Sequence, residues 1–266
     1  MGLFSRNYDK PGPGVNKDEP RKKGAARFFE LLLREFWDLI KLNLLFCLFA
    51  LPSVSVFLLG ILGLFGNMSG LSFILSLLLA FPVGGALTAY YYYITKMMRD
   101  DPSYVWYEFK RKFKENYLQA APIGILCTAF VYAQILLWVM IILSETEIDV
   151  LWPILTVLSL LIFGIIAPYI FMHIAYIDLK TTGILKNSVM MSFGFMPRSF
   201  MGALTGGVIW IAFALFFPAS LVFVPVVILV GISLSILLTL MWVWKPFDEH
   251  FKIEEQLIAR REEEND

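Results

Sequence analysis

The chain has 266 residues, of which 58% are hydrophobic and only 17% charged, and its formal net charge is zero. Soluble domains carry about 45–50% apolar and about 25% charged residues. The balance therefore argues against a soluble fold, and the absence of a basic excess argues against nucleic acid as a partner.

The first residues, Met1 to Gly24, are rich in Gly, Pro and charge and hold no apolar core of signal-peptide type, which predicts a flexible cytoplasmic tail (residues 1–24). From Arg27 to Lys41 the charges recur at Arg27, Glu30, Arg34, Asp38 and Lys41, spacings of three and four that share one helical face. Phe28, Leu31, Leu32, Phe36, Leu39 and Ile40 fall largely on the other, as in a helix lying along lipid headgroups. Two long stretches follow with no Asp, Glu, Lys, Arg or His, from Leu42 to Thr95 and from Phe200 to Trp244. Each is long enough to cross about 30 Å of hydrocarbon twice, at roughly 20 residues per helical crossing.

Hydropathy and breakers predict an all-α polytopic membrane bundle over residues 25–244 with six transmembrane helices. These are Leu39 to Phe65, Leu71 to Thr95, Gln119 to Leu143, Val150 to Ile177, Phe200 to Phe217 and Leu221 to Trp244. Gly66-Asn67-Met68-Ser69-Gly70 turns the first into the second, and Pro218-Ala219-Ser220 the fifth into the sixth. A second amphipathic segment, Val105 to Leu118, precedes the third span, and residues 245–266 form a charged tail. All 22 Lys and Arg fall on the N-terminal region, the Lys96–Leu118 loop, the Asp178–Ser199 connection and the C-terminal tail, whereas the opposite side holds only Glu145, Glu147 and Asp149. The positive-inside rule then places both termini in the cytoplasm. Cys47 and Cys127 lie in apolar runs and read as small buried hydrophobes.

Three segments stand out together: Phe36-Trp37-Asp38-Leu39-Ile40-Lys41-Leu42-Asn43-Leu44-Leu45-Phe46 followed by Leu51-Pro52, then Gly85-Ala86-Leu87-Thr88-Ala89-Tyr90 through to Arg99-Asp100, and Phe109-Lys110 with Phe113-Lys114-Glu115-Asn116-Tyr117. In these the chain resembles the YesL-like family of uncharacterised bacterial integral membrane proteins. The resemblance covers roughly the first half of the chain. It implies an accessory role in carbohydrate import beside ABC-type transporter components, in the cell membrane, and it supplies no catalytic residues. A departure is the run Tyr90-Tyr91-Tyr92-Tyr93, which fits an interfacial aromatic belt.

Motifs for chemistry are lacking: the sequence has no His-Glu metalloprotease pair, phosphate-binding loop or nucleophile elbow, so neither an enzyme nor a cofactor is expected. An intramembrane ionisable group is a functional candidate. His173, one turn from Tyr169 and close to Asp178, suggests a polar relay; its bland alternative is a neutral imidazole bonded to a neighbouring helix. Asn43 and Gln134 read as interhelical hydrogen-bonding residues. The aromatic and basic residues Trp106, Phe109, Lys110, Arg111, Phe113, Lys114 and Tyr117 form either a headgroup anchor beside anionic lipid or a docking surface for a cytoplasmic protein. Prolines at 52, 82, 122, 153, 168 and 218 permit the broken helices of transport sites. The functional expectation is an accessory or assembly subunit, with an independent small-solute transporter or channel as the alternative; the partners are the lipid bilayer, importer components and, in a homo-oligomer, further copies of the chain.

Overall fold

A computed structural model describes residues 21–63, 69–101, 104–143, 149–216 and 219–263. Among them the secondary structure is helical throughout, with no strand. The elements in order are α1 (Gly24–Arg34), α2 (Phe36–Ile61), α3 (Ser69–Leu79), α4 (Val83–Met98), α5 (Val105–Leu143), α6 (Leu151–Tyr176), α7 (Thr181–Gly194) and α8 (Met196–Leu215). A 3-10 turn (Ala219–Phe223), α9 (Val224–Val226), a wide π-type turn (Val227–Gly231), α10 (Ile232–Phe251) and α11 (Ile253–Glu263) complete the chain. Most of the N-terminal tail, the glycine turn at 66–68, Glu145, Glu147 and Pro218 lie outside the described residues.

Four helices are long and apolar enough to cross a membrane: α2, α5, α6 and the continuous stretch Val224–Phe251. The pair α3 and α4, bent by 45°, makes a fifth crossing if it is one broken span. The expected six spans are thus met by at most five among the described residues. The expected fifth, now α8, is not in that set, its last three side chains lying outside the described ones. The α3–α4 bend has a local cause. Pro82 has no N–H and its ring crowds the preceding turn, so Ala80, Phe81 and Val83 bond three residues back instead of four.

The centre of the bundle is α4, in which fourteen of sixteen residues are buried. Four consecutive residues on a helix sweep most of the way round its axis, so Tyr90 to Tyr93 reach different neighbours. The Tyr90 hydroxyl lies 2.7 Å from Asn43 Oδ1 on α2 and 2.6 Å from Ser233 Oγ on α10. Tyr91 stacks on Phe171 of α6, the Tyr92 hydroxyl accepts from Arg111 on α5, and the Tyr93 hydroxyl donates to Asp38 on α2. The run expected at an aromatic belt is therefore the core of the protein, because α4 has helices on every side. Its approach to α5 is backbone to backbone. A Cβ on Gly84 would lie 2.0 Å from the Ala120 carbonyl oxygen, and one on Gly124 would lie 2.3 Å from the Gly84 nitrogen. Away from this centre the apolar half of α6 is nearly bare: from Leu151 to Leu158 only Thr156 is buried.

Candidate functional site

At the charged end of the bundle, α1 lies across the C-terminus of α4. Arg27 and Arg34 stand two turns apart on α1, yet Arg27 Nη2 donates to Asp100 Oδ2 and Arg34 Nη2 to Asp100 Oδ1, each at 2.6 Å. One carboxylate can receive both only if the helix runs past it. Arg21 adds a third contact at 3.3 Å and pairs with Glu254 of α11 at 3.4 Å. Asp100 itself has a left-handed backbone (φ 62°), a conformation non-glycine residues seldom adopt. Burial alone would raise its pKa, but hydrogen bonds from Arg34 and Arg27 outweigh it and hold the carboxyl below the usual range. Of the charged face expected to meet headgroups, Arg27 is buried and Arg34 reaches the same carboxylate, while Leu31 and Leu39 of the apolar face are buried as well. Phe29, Leu33 and Trp37 project outward instead, and the predicted single helix is interrupted at Glu35.

A second ionic group fixes α5 to α4. Glu108, in the first turn of α5, accepts from Lys96 Nζ of α4 and from Arg111 Nη2 of α5, both at 2.6 Å. Arg99 donates to the Tyr176 hydroxyl at 2.8 Å and sits over the rings of Tyr176 and Trp244 at 5.5 Å each. Cations over aromatic faces are attracted by the ring quadrupole, more strongly where water is excluded.

The predicted docking residues separate into two rows on α5. Phe109, 1% exposed, and Phe113 stack on Phe49 of α2, and Tyr117 meets Phe81 edge-on. Arg111 is spent on Glu108 and Tyr92. These four take part in the packing between helices, Phe109 buried and the other three partly so. Trp106 (59% exposed), Lys110 and Lys114, each four residues apart, form the free row, with Lys110 Nζ 6.0 Å from the Trp106 ring centre. Alternation of aromatic and basic residues along the sequence hid this division, which only the helical period reveals.

The intramembrane candidates are each tied to a neighbour. Asn43 donates to the Ile228 carbonyl at 2.6 Å, and its Oδ1 accepts from Tyr90 and from the Ser233 N–H. It thereby serves backbone groups loosened by the π-type turn Val227–Gly231. Gln134 donates to Ser159 Oγ at 3.0 Å, and its own Oε1 is buried without a partner. The structure does not join Tyr169 and His173 through their side chains. The Tyr169 hydroxyl lies 3.0 Å from Ser199 Oγ, while His173 Nδ1 lies 2.7 Å from the Tyr169 carbonyl oxygen and 3.0 Å from Ser188 Oγ. A carbonyl only accepts, so Nδ1 carries the proton. Nε2 is then a buried lone pair without a partner, beside the rings of Phe247 and Phe251. Sequence reasoning passed over Asp100 and Glu108, which look like ordinary loop and surface charges until the fold gathers cations round them.

Long apolar helices packed round a buried aromatic centre, with charge gathered at one end, define a multi-pass helical membrane protein. Residues 39–139, less than half of the chain, match the family model described as Protein of unknown function, DUF624. The resemblance to YesL-like proteins, which carry this region, holds over that segment. No curated protein and no solved structure matches the chain.

Proposed function

We propose that this protein is an accessory or assembly subunit of a bacterial carbohydrate importer of the ABC type, held in the cell membrane with both termini in the cytoplasm. The observation that carries the reading is the shape of α5. Its 39 residues make a rod of roughly 58 Å, about twice the hydrocarbon thickness. The part beyond the bilayer presents Trp106, Lys110 and Lys114 on one face, while Glu108, Phe109 and Phe113 hold it to α4 and α2. An exposed tryptophan is a side chain enriched at protein interfaces, and the flanking charges can steer and orient a partner on this rigid support. The sugar-import context comes from the YesL-like resemblance, and the orientation from the segregation of basic residues.

Affinity purification of the full chain from mild detergent is expected to recover importer permease or ATPase components. A variant carrying Trp106→Ala, Lys110→Glu and Lys114→Glu should lose them while remaining monodisperse. Equal recovery with the variant, or repeated isolation of the protein alone, would overturn the proposal.

The unpartnered Nε2 of His173 and Oε1 of Gln134 favour a second reading, an independent small-solute transporter. It requires solute flux in proteoliposomes of the purified chain that His173→Leu abolishes. No flux, or flux that survives that change, would reject it.

A further inference from the structure

Helix α7 has an outward face that its neighbours leave bare, and its chemistry is that of a lipid surface. Ile184, Ser188, Met191 and Ser192 turn toward the bundle, with Ser188 Oγ 3.0 Å from His173 Nδ1. The opposite arc exposes Leu185, Val189, Met190 (62%) and Phe193 (56%), and Lys186 is the single charge among them. A water-facing helix would carry polar residues there.

Two further features identify the occupant. The apolar arc continues into Met196, Phe200, Met201 and Leu204 on α8, so it is an extension of the flank that the bundle presents to acyl chains. Lys180, Lys186 and Arg198 are exposed along it, and no Asp or Glu occurs from residue 179 to residue 247. None of the three forms an ion pair among the described residues, and Asp178, the nearest acidic residue in sequence, is paired with none of them.

We infer that α7 is an interfacial helix: its apolar arc enters the leaflet at the charged end of the bundle, and Lys180, Lys186 and Arg198 bind the phosphates of anionic phospholipid headgroups. Lysine and arginine stems lie along apolar surface while their charged ends reach the headgroups. The inference stands apart from the importer reading, since it concerns lipid and a different helix from the α5 row.

The test uses the full chain in bilayers of phosphatidylcholine mixed with phosphatidylglycerol. Cys47→Ser and Cys127→Ser remove the native thiols, and a spin label is placed at Met190 or Phe193 through a single cysteine substitution. The expected label collides with dissolved oxygen and is shielded from a water-soluble nickel chelate. Ready access by the chelate would overturn the inference by showing water on this face. Shielding from both reagents would overturn it by showing a second copy or another protein there. A separate arm replaces Lys180, Lys186 and Arg198 by Gln and counts lipids retained in native mass spectrometry. Binding of phosphatidylglycerol should weaken about fivefold per charge removed, with phosphatidylcholine unchanged and the all-Arg variant retaining it. Equal phosphatidylglycerol retention by the Gln variant would overturn the headgroup assignment.

Discussion

The closeness of α4 and α5 makes Gly84→Ala the sharpest test of the packing. A methyl at this position would sit 2.0 Å from the Ala120 carbonyl oxygen and 2.6 Å from its carbon, where ordinary contact begins near 3.4 Å. Both obstacles are backbone, so no rotamer change relieves them and the helices must part by about 1 Å. Inserting a methyl into a packed site costs about 1–3 kcal/mol, and a rigid neighbour puts this case toward the upper end. Alanine recovers roughly 1 kcal/mol of helix propensity over glycine, leaving a net loss of about 1–2 kcal/mol. Gly207→Ala on α8 is the control: its methyl meets nothing nearer than 3.9 Å, so only the propensity gain remains. Reversible unfolding in mixed micelles with increasing denaturing detergent reads both. The two substitutions should move stability in opposite directions. Gly84→Ala at or above wild-type stability would refute the backbone contact between these helices.

Other consequences follow from the buried polar groups. Asn43→Leu leaves the Ile228 carbonyl and the Ser233 N–H without their side-chain partner and should cost about 1–3 kcal/mol in the same unfolding assay; an unchanged midpoint would show that the π-type turn needs no such support. Glu108→Gln weakens a carboxylate held between Lys96 and Arg111 and should be markedly destabilising, whereas Lys96→Met with Glu108→Leu should recover part of the loss, since the buried ammonium goes with the carboxylate and the part-exposed Arg111 keeps Glu115. Asp100 has a folded-state pKa below its unfolded value of about 3.9. Its contribution is therefore full above that value and is lost as pH falls through the folded one. Limited proteolysis near Arg27 should accelerate over that acid range in the wild type, and Asp100→Asn should show the faster cleavage already at neutral pH; identical cleavage of the two at neutral pH would contradict the clasp.

The helical class and the approximate positions of the apolar segments were legible because a span needs a long uncharged run, which hydropathy reads directly. The segregated charge likewise marked the end where ionic contacts gather. What was not legible depends on neighbours. The tyrosine run has the same composition in an aromatic belt as in a core, and only a helix surrounded on all sides makes it the latter. Pro82 was visible as a breaker, but the resulting bend, and the 3-10 and π-type turns near Ala219 and Gly231, require knowledge of which carbonyls are freed and what satisfies them. Helix α7 lies in a connection whose polar Lys, Asn, Ser and Thr residues resemble a loop; its buried stripe Ile184, Ser188, Met191 and Ser192 carries too few large apolar residues to announce itself. Among the candidate site residues, Asn43 was readable as a hydrogen-bonding group. The split of the α5 surface was not, because Phe109, Phe113 and Tyr117 are chemically as suited to a partner as to Phe49 and Phe81.

Photocrosslinking in intact cells tests the proposed role most directly. A photoreactive amino acid is placed at Lys110 on the exposed α5 row, and separately at Leu155 on the bare part of α6. A crosslink is expected from position 110 to a subunit of a carbohydrate importer, and from position 155 to lipid. Importer crosslinks confined to position 155, or adducts at position 110 with lipid alone, would contradict it.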